Sequence, residues 1–469
     1  MADGYERLGA QDKTFLDLER PNEPQHIGAV TVFEAGPLAR PDGGVDIERV
    51  RAYVASRLHR LPRYRQRLAW IPVERHPVWV DDPHFQIDYH VRHTALPRPG
   101  DERQLKRLAG RVVSQPLDRE RPLWELWLVE GLEGGKRFAI VQKVHHCMID
   151  GISGVDLMGI LLASDPDAKP EPSPPFEPHP PPSALDLVAS ELGRRVKGAV
   201  GVLGRTPGAL RTPVDLAGRV REGVAAVGET VSAALRPTSD TPINQTLGPH
   251  RRIDWRDLAL SRVKAVKDRL GGTVNDVVLA TVAGALRRFF ALRRLDVDRL
   301  RIRANVPVSL RTRDERGTLG NRIALLMAEL PVDEPDPLAQ LARVRATMER
   351  LKSSRQALGA EVLSAVSEWT SATLLSLAVR GTARARPYNL VVTNVPGPQI
   401  PLYMLGARME RCYPVVNLQP QQGLGVGLFS YAGTLGLGFT ADTDQVPDLY
   451  VFADATIASF EELARLARA

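Results

Sequence analysis

The sequence predicts an α/β protein of two domains with a linker between them. Three observations carry this. A length of 469 residues suits two domains. Runs rich in β-branched residues alternate with stretches of helical spacing in both halves. Residues 166–182 hold so much proline that they fit neither a helix nor a sheet interior and read as an extended linker. The division is 1–165, a connector over 166–245, and 246–469.

In chain order, residues 26–33 read as a strand of small and β-branched residues. The spacing predicts a helix over 47–61, with Ile47, Val50, Val54 and Leu58 on one face. Short strand-like pieces fall near Val78 and His90, and residues 101–113 are again helical. Residues 123–129 and 138–144 form two neighbouring strands joined by the glycine-rich turn 131–136. After the linker, residues 184–235 have helical periodicity broken by Pro207, Gly208 and Pro213. From Arg251 a second α/β region begins. It has helices over 258–270, 277–290, 338–351 and 361–380, and strands over 301–310, 323–332, 388–395, 423–430 and 434–440.

Composition narrows the function. Lys and Arg total 62 against 55 acidic residues, a net charge of +7. This mild excess suits an anionic ligand or an anionic membrane surface. It does not suggest nucleic acid, because no basic run with interleaved aromatics occurs. Two cysteines, Cys147 and Cys412, exclude a disulfide scaffold and point to a reducing cytosol. The first residues lack an apolar signal core, and no uncharged apolar run reaches about 18 residues. The expectation is a cytoplasmic protein that lies on a membrane or lipid-body surface at most. The tract 184–235, with seven Lys/Arg between Arg194 and Arg221, is either a solvated connector or an amphipathic membrane-surface segment.

The strongest chemical signal is His145-His146-Cys147-Met148-Ile149-Asp150-Gly151. It follows a strand and precedes Ser153-Gly154-Val155-Asp156, a capping-box pattern that opens a helix. Neighbours on a strand face opposite ways, so one histidine can face a cleft while the other turns inward. That geometry argues against joint chelation of a metal. Imidazole titrates near cellular pH and suits general-base work. Asp150 can pair with a cation to hold the loop, and Gly151 permits backbone shapes closed to other residues. A core histidine pair beside an ordinary Asp-Gly turn fits the same spacing. No G-x-S-x-G elbow occurs, which disfavours a serine hydrolase.

The pattern HHxxxDG resembles the active-site motif of a large acyltransferase superfamily that includes chloramphenicol acetyltransferase, carnitine acyltransferases, the plant BAHD enzymes and peptide-synthetase condensation domains. Further segments resemble the bacterial wax ester synthase/diacylglycerol acyltransferase family in particular. They are Gln11-Asp12-Lys13-Thr14-Phe15-Leu16 with Gln25-His26-Ile27-Gly28, and Pro116-Leu117-Asp118 with Arg121-Pro122-Leu123-Trp124-Glu125. The pair Asn275-Asp276, the run Thr393-Asn394-Val395-Pro396-Gly397-Pro398, and Gly438-Phe439-Thr440-Ala441-Asp442 complete the set. Thr393 stands where that family often has serine, and the plant enzymes' DFGWG does not occur.

The resemblance implies two chloramphenicol-acetyltransferase-like domains, mixed sheets flanked by helices, with the active site at their interface. It implies an O-acyltransferase using acyl-CoA as co-substrate, with diacylglycerol or a long-chain alcohol as acceptor, and no metal or redox cofactor. His146 is then the general base, and His145, Asp150 and Gly151 shape its loop. Asn275, near a helix N-terminus where partial positive charge gathers, is the candidate for steadying the oxyanion. Trp124, Thr393 and Asn394 are candidate substrate contacts, although Trp124 also reads as a core aromatic. A carrier-protein-dependent condensation-type enzyme and a non-catalytic lipid-binding protein of the same fold are the alternatives.

Overall fold

A computed structural model describes residues 5–41, 44–72, 74–148, 154–169, 172–190, 193, 238–309, 323–357 and 387–468. Two six-stranded mixed sheets organise it. The first has the order β12-β13-β2-β7-β6-β5, from strands β2 (His26–Glu34), β5 (Val91–Ala95), β6 (Trp124–Leu132), β7 (Arg137–His145), β12 (Tyr403–Met404) and β13 (Ala407–Val415). Only β5 and β6 run parallel within it. The second has the order β10-β9-β11-β14-β15-β8, from β8 (Arg251–Ala259), β9 (Ile302–Ser309), β10 (Ile323–Leu330), β11 (Leu390–Pro396), β14 (Leu424–Tyr431) and β15 (Thr434–Asp442). Here β11 is parallel to both neighbours. A small antiparallel sheet of β1 (Tyr5–Arg7), β4 (Pro77–Asp81) and β3 (Gln66–Trp70) stands beside the first.

Each helix that positions the site starts on a local signal. Helix α4 (Glu102–Ser114) follows Gly100 at φ +74 and opens on a reciprocal capping box between Asp101 and Gln104. It covers one face of the first sheet, burying Leu105, Ala109, Val112 and Val113 against Val30, Val32, Ala139 and Val141. The opposite face packs under α1 (Ala10–Leu18), α2 (Ile47–Arg57) and α5 (Gly154–Leu161), with Phe33, Phe138, Ile140 and Trp124 in its core. In the second half, α6 (Leu260–Leu270) ends at Gly271, and α7 (Val274–Leu292) opens on a Thr273/Asp276 capping box. Helix α7 is buried between α8 (Pro337–Ala357), α9 (Leu449–Leu466) and the second sheet.

The sheets do not follow the linear division of the chain. Strands β12 and β13, from the C-terminal part, complete the first sheet, with Tyr413 opposite Val30. At the junction β13 crosses the glycines of β14 and β15 so closely that a Cβ at Gly438 would stand 2.0 Å from the Pro414 carbonyl oxygen. Helix α4 reaches across as well, with Gly110 against the Arg251 carbonyl and Lys106 bonded to Asp254 at 2.7 Å.

Several expected elements shift. The segment near His90 is one helical turn, α3 (Ile87–His90), before β5 begins. Residues through Ala259 extend β8, and the helix expected over 258–270 starts at Leu260. Strands β8 and β13 and helices α1 and α9 have no counterpart among the expected elements. The basic tract beyond residue 193 and the helix expected over 361–380 lie outside the described residues.

Candidate active site

Strand β7 delivers the histidine pair. His145 is its last residue, paired with His26 of β2, and a 3₁₀ turn from His146 to Met148 follows at once. His145 is wholly buried, whereas His146 is only partly so. The inward course of His145 continues the alternation of β7. Lys143, Val141 and Ala139 are buried with it on the α4 side. His146 leaves the strand and stacks on Phe15 of α1, with ring centroids 3.8 Å apart and planes inclined by 17°.

The backbone of the turn is fixed at both ends. The His146 N–H donates to the Gln25 carbonyl at 2.8 Å, and the Cys147 N–H donates to Nδ1 of His145 at 3.2 Å. A backbone N–H is always the donor, so Nδ1 of His145 is an acceptor and its proton sits on Nε2. Glu19 Oε1 faces that Nε2 at 3.5 Å. Arg119 grips the same carboxylate at 2.7 Å through Oε2. Burial acts to raise the Glu19 pKa, but His145, Arg119 and the Gln25 N–H outweigh it and hold the carboxyl at about 2. The side chain of Gln25 reaches the C-terminal segment, accepting from Asn417 at 3.1 Å and Gln419 at 3.2 Å.

Electrostatics keep His146 neutral. Desolvation, with His145 beside it, lowers its pKa to about 4 against the pull of a hydrogen bond to its own backbone. A neutral imidazole keeps one ring nitrogen with a lone pair that can accept a proton. Burial drives the Cys147 thiol well above its ordinary value, which leaves it protonated and a poor nucleophile. Below the pair, Lys143 is fully buried. Its ammonium bonds the Val112 and Gln115 carbonyls at the end of α4 and the Glu125 carboxylate at 3.2 Å. His26 accompanies it, bonded to the Val113 carbonyl at 2.8 Å.

Of the residues singled out from sequence, the structure brings together His145, His146 and the N-terminal segment carrying Phe15 and Gln25. Asp150 and Gly151 lie outside the described residues. Asn275 stands in the first turn of α7, partly exposed, while its neighbour Asp276 is engaged in the cap with Thr273. Thr393 and Asn394 are on β11, partly exposed, opposite Gly427 and Leu428. Trp124 is a core side chain. It is 1% exposed, donates to the Tyr64 carbonyl at 2.8 Å and stacks on His90 at 4.6 Å, so no face is left for a ligand. Glu19, Arg119 and Asn417 escaped the sequence reading. Glu19 and Arg119 border the recognised segments, but nothing local marks them as partners. Among the described residues no group of three or more His, Cys, Asp or Glu side chains could hold a metal ion.

Comparison with known proteins matches two family models. One, described as the wax ester synthase/diacylglycerol acyltransferase catalytic domain, covers residues 8–278, and one described as the WS/DGAT C-terminal domain covers 319–464. A Mycobacterium tuberculosis protein named for an inferred diacylglycerol O-acyltransferase activity is 34% identical over 98% of this chain and 90% of its own length. The solved wax ester synthase/diacylglycerol acyltransferase of Marinobacter aquaeolei VT8 superposes with a TM-score of 0.70 at 28% identity, covering 99% of this chain and all of that one. The first condensation domain of the CDA synthetase shares the fold, with a TM-score of 0.56 at 17% identity over 99% of this chain and 96% of its own.

Proposed function

Because this chain belongs to the wax ester synthase/diacylglycerol acyltransferase family, we propose that it transfers a long-chain acyl group from acyl-CoA to the hydroxyl of diacylglycerol or a long-chain alcohol, with His146 as the general base. The observation that carries the base assignment is the held, neutral His146 ring at the end of β7, partly open and backed by Phe15.

The unprotonated ring nitrogen of His146 takes the hydroxyl proton as the alcohol oxygen attacks the thioester carbonyl. The tetrahedral intermediate collapses, the carbon–sulfur bond breaks, and the CoA sulfur leaves with the proton from His146. Acyl-CoA is the only co-substrate this sequence of steps requires. Partial positive charge at the start of α7 supports Asn275 as the group facing the oxyanion. The protonated Cys147 supports direct transfer without an acyl-enzyme. Attachment to a membrane or lipid-body surface from the cytoplasmic side belongs to the same proposal. The water-insoluble acceptors support it; among the described residues no helix is long and apolar enough to cross a membrane.

The test compares His146→Ala and His145→Ala by CoA release and melting curves. A positioned general base contributes about 10²–10⁴-fold, so His146→Ala loses at least that order of turnover while staying folded. His145→Ala lowers the melting temperature as well. A folded His146→Ala enzyme with near-normal turnover overturns the assignment. Turnover that appears only when the acyl group is presented on a carrier protein replaces acyl-CoA as the donor.

A further inference from the structure

We infer that Glu19 is a positioning residue for the His146 base, clamping the catalytic turn from three sides without touching substrate. The inference rests on His146 being the base.

The first connection runs through Gln25. Glu19 Oε1 accepts the Gln25 N–H at 3.1 Å, and the carbonyl of that same residue accepts the His146 N–H at 2.8 Å. The second runs through His145. Its Nδ1 accepts the Cys147 N–H, and its Nε2, buried and without a full hydrogen bond, faces Glu19 Oε1 at 3.5 Å. Catalytic hydrogen bonds are often long in the free enzyme and tighten in the complex, and this one is poised to do so. The third runs through α1. Glu19 caps that helix with its N–H on the Phe15 carbonyl at 3.1 Å, and Phe15 carries the ring that stacks on His146. Arg119 locks the assembly, holding Glu19 Oε2 at 2.7 Å and the Leu16 carbonyl at 3.0 Å. The Glu19 carboxylate thus bears, through Gln25 and His145, on the peptide N–H of the base and on the peptide N–H after it, while the backbone N–H of the same residue ends the helix that carries the aromatic face. Its 8% exposure keeps water from replacing those contacts.

The carboxylate matters because both of its oxygens must accept. An amide keeps one acceptor oxygen but turns an N–H toward either Arg119 or the protonated Nε2 of His145. Glu19→Gln in the full chain is therefore the sharp test. A displacement near 1 Å costs on the order of 10²-fold in rate, so kcat should fall by about 10–100-fold. The KM and the dissociation constant for acyl-CoA should hold, because Glu19 binds none of it. Glu19→Asp, which keeps the charge but withdraws it by one methylene, should fall between. With ¹⁵N-labelled histidine, the wild type should show His145 protonated on Nε2 and unprotonated on Nδ1, and Glu19→Gln should lose that single-tautomer signature.

A kcat within about twofold of wild type in Glu19→Gln overturns the inference; if that variant does not fold, the same result in Glu19→Asp does so. Loss of activity in His146→Ala with full activity in Glu19→Gln removes the Glu19 role alone. Retained activity in His146→Ala removes the base assignment beneath it.

Discussion

His146 is neutral because protein surrounds it, and this has a kinetic consequence. A base is active only in its unprotonated form. With its pKa lowered to about 4 from an ordinary 6.5, His146 stays active through mildly acidic conditions. The acid limb of kcat/KM in the free enzyme should fall near pH 4, well below the 6.5 of an unperturbed imidazole. A pH–rate profile with its acid limb centred at 6.5 contradicts the desolvated environment. Cys147 gives a second expectation at this scale. Its thiol is buried and protonated beside His145, so Cys147→Ala should keep most of the activity, and mass spectrometry of the quenched enzyme should find no acyl group on it. A stoichiometric acyl adduct on Cys147 would turn the mechanism into a two-step transfer.

At the scale of elements, the decisive contact is strand against strand. Gly425, Gly427, Gly436 and Gly438 line the face of β14 and β15 that meets β13 and the residues after it. A glycine within a strand often marks a place where another backbone comes close. At Gly438 an added Cβ would lie 2.0 Å from a backbone oxygen, which cannot swing aside as a side chain can. Gly438→Ala should therefore destabilise by about 1–3 kcal/mol or more, as overpacking does in a tight core. Calorimetry of the variant checks this, and an unchanged melting temperature would mean that the two sheets can separate there without cost. The alternate glycines at 425 and 427, and at 436 and 438, were a signal open to sequence reading. Their partner was not, because β13 is recruited from the other sheet.

For the whole molecule, three desolvated histidines, His26, His90 and His146, shape the response to acid. Burial lowers the pKa of His26 to about 3, and of His90 and His146 to about 4. Unfolded, each returns to about 6.5. Between those values the unfolded chain binds more protons than the folded one, so stability rises with pH across that window. It is fully present above 6.5 and is lost as pH falls toward 4. Glu19, held at about 2 in the fold, adds a loss of the same sign below its ordinary 4.5. Melting temperature should therefore drop steadily from pH 7 to pH 5. A flat profile over that range would mean that these histidines are not desolvated in solution. The two halves meet where this acid-sensitive region lies, since Gln25 joins the His146 turn to Asn417 and Gln419.

The sequence by itself determined what depends on neighbours in the chain. The period of β7, the capping boxes of α4 and α7, and the turn after 145 follow from near residues. It also carried the family, because the motif segments survive as short contiguous strings. Tertiary structure alone decided what depends on distant partners. It assigned Trp124 to the core, placed β13 in the first sheet, and set Glu19 and Arg119 around His145. The physical reason is range. Secondary structure and capping are fixed by bonds spanning three or four residues, whereas burial, charge pairing and the pKa of His146 are summed over groups that come together only when the whole chain closes.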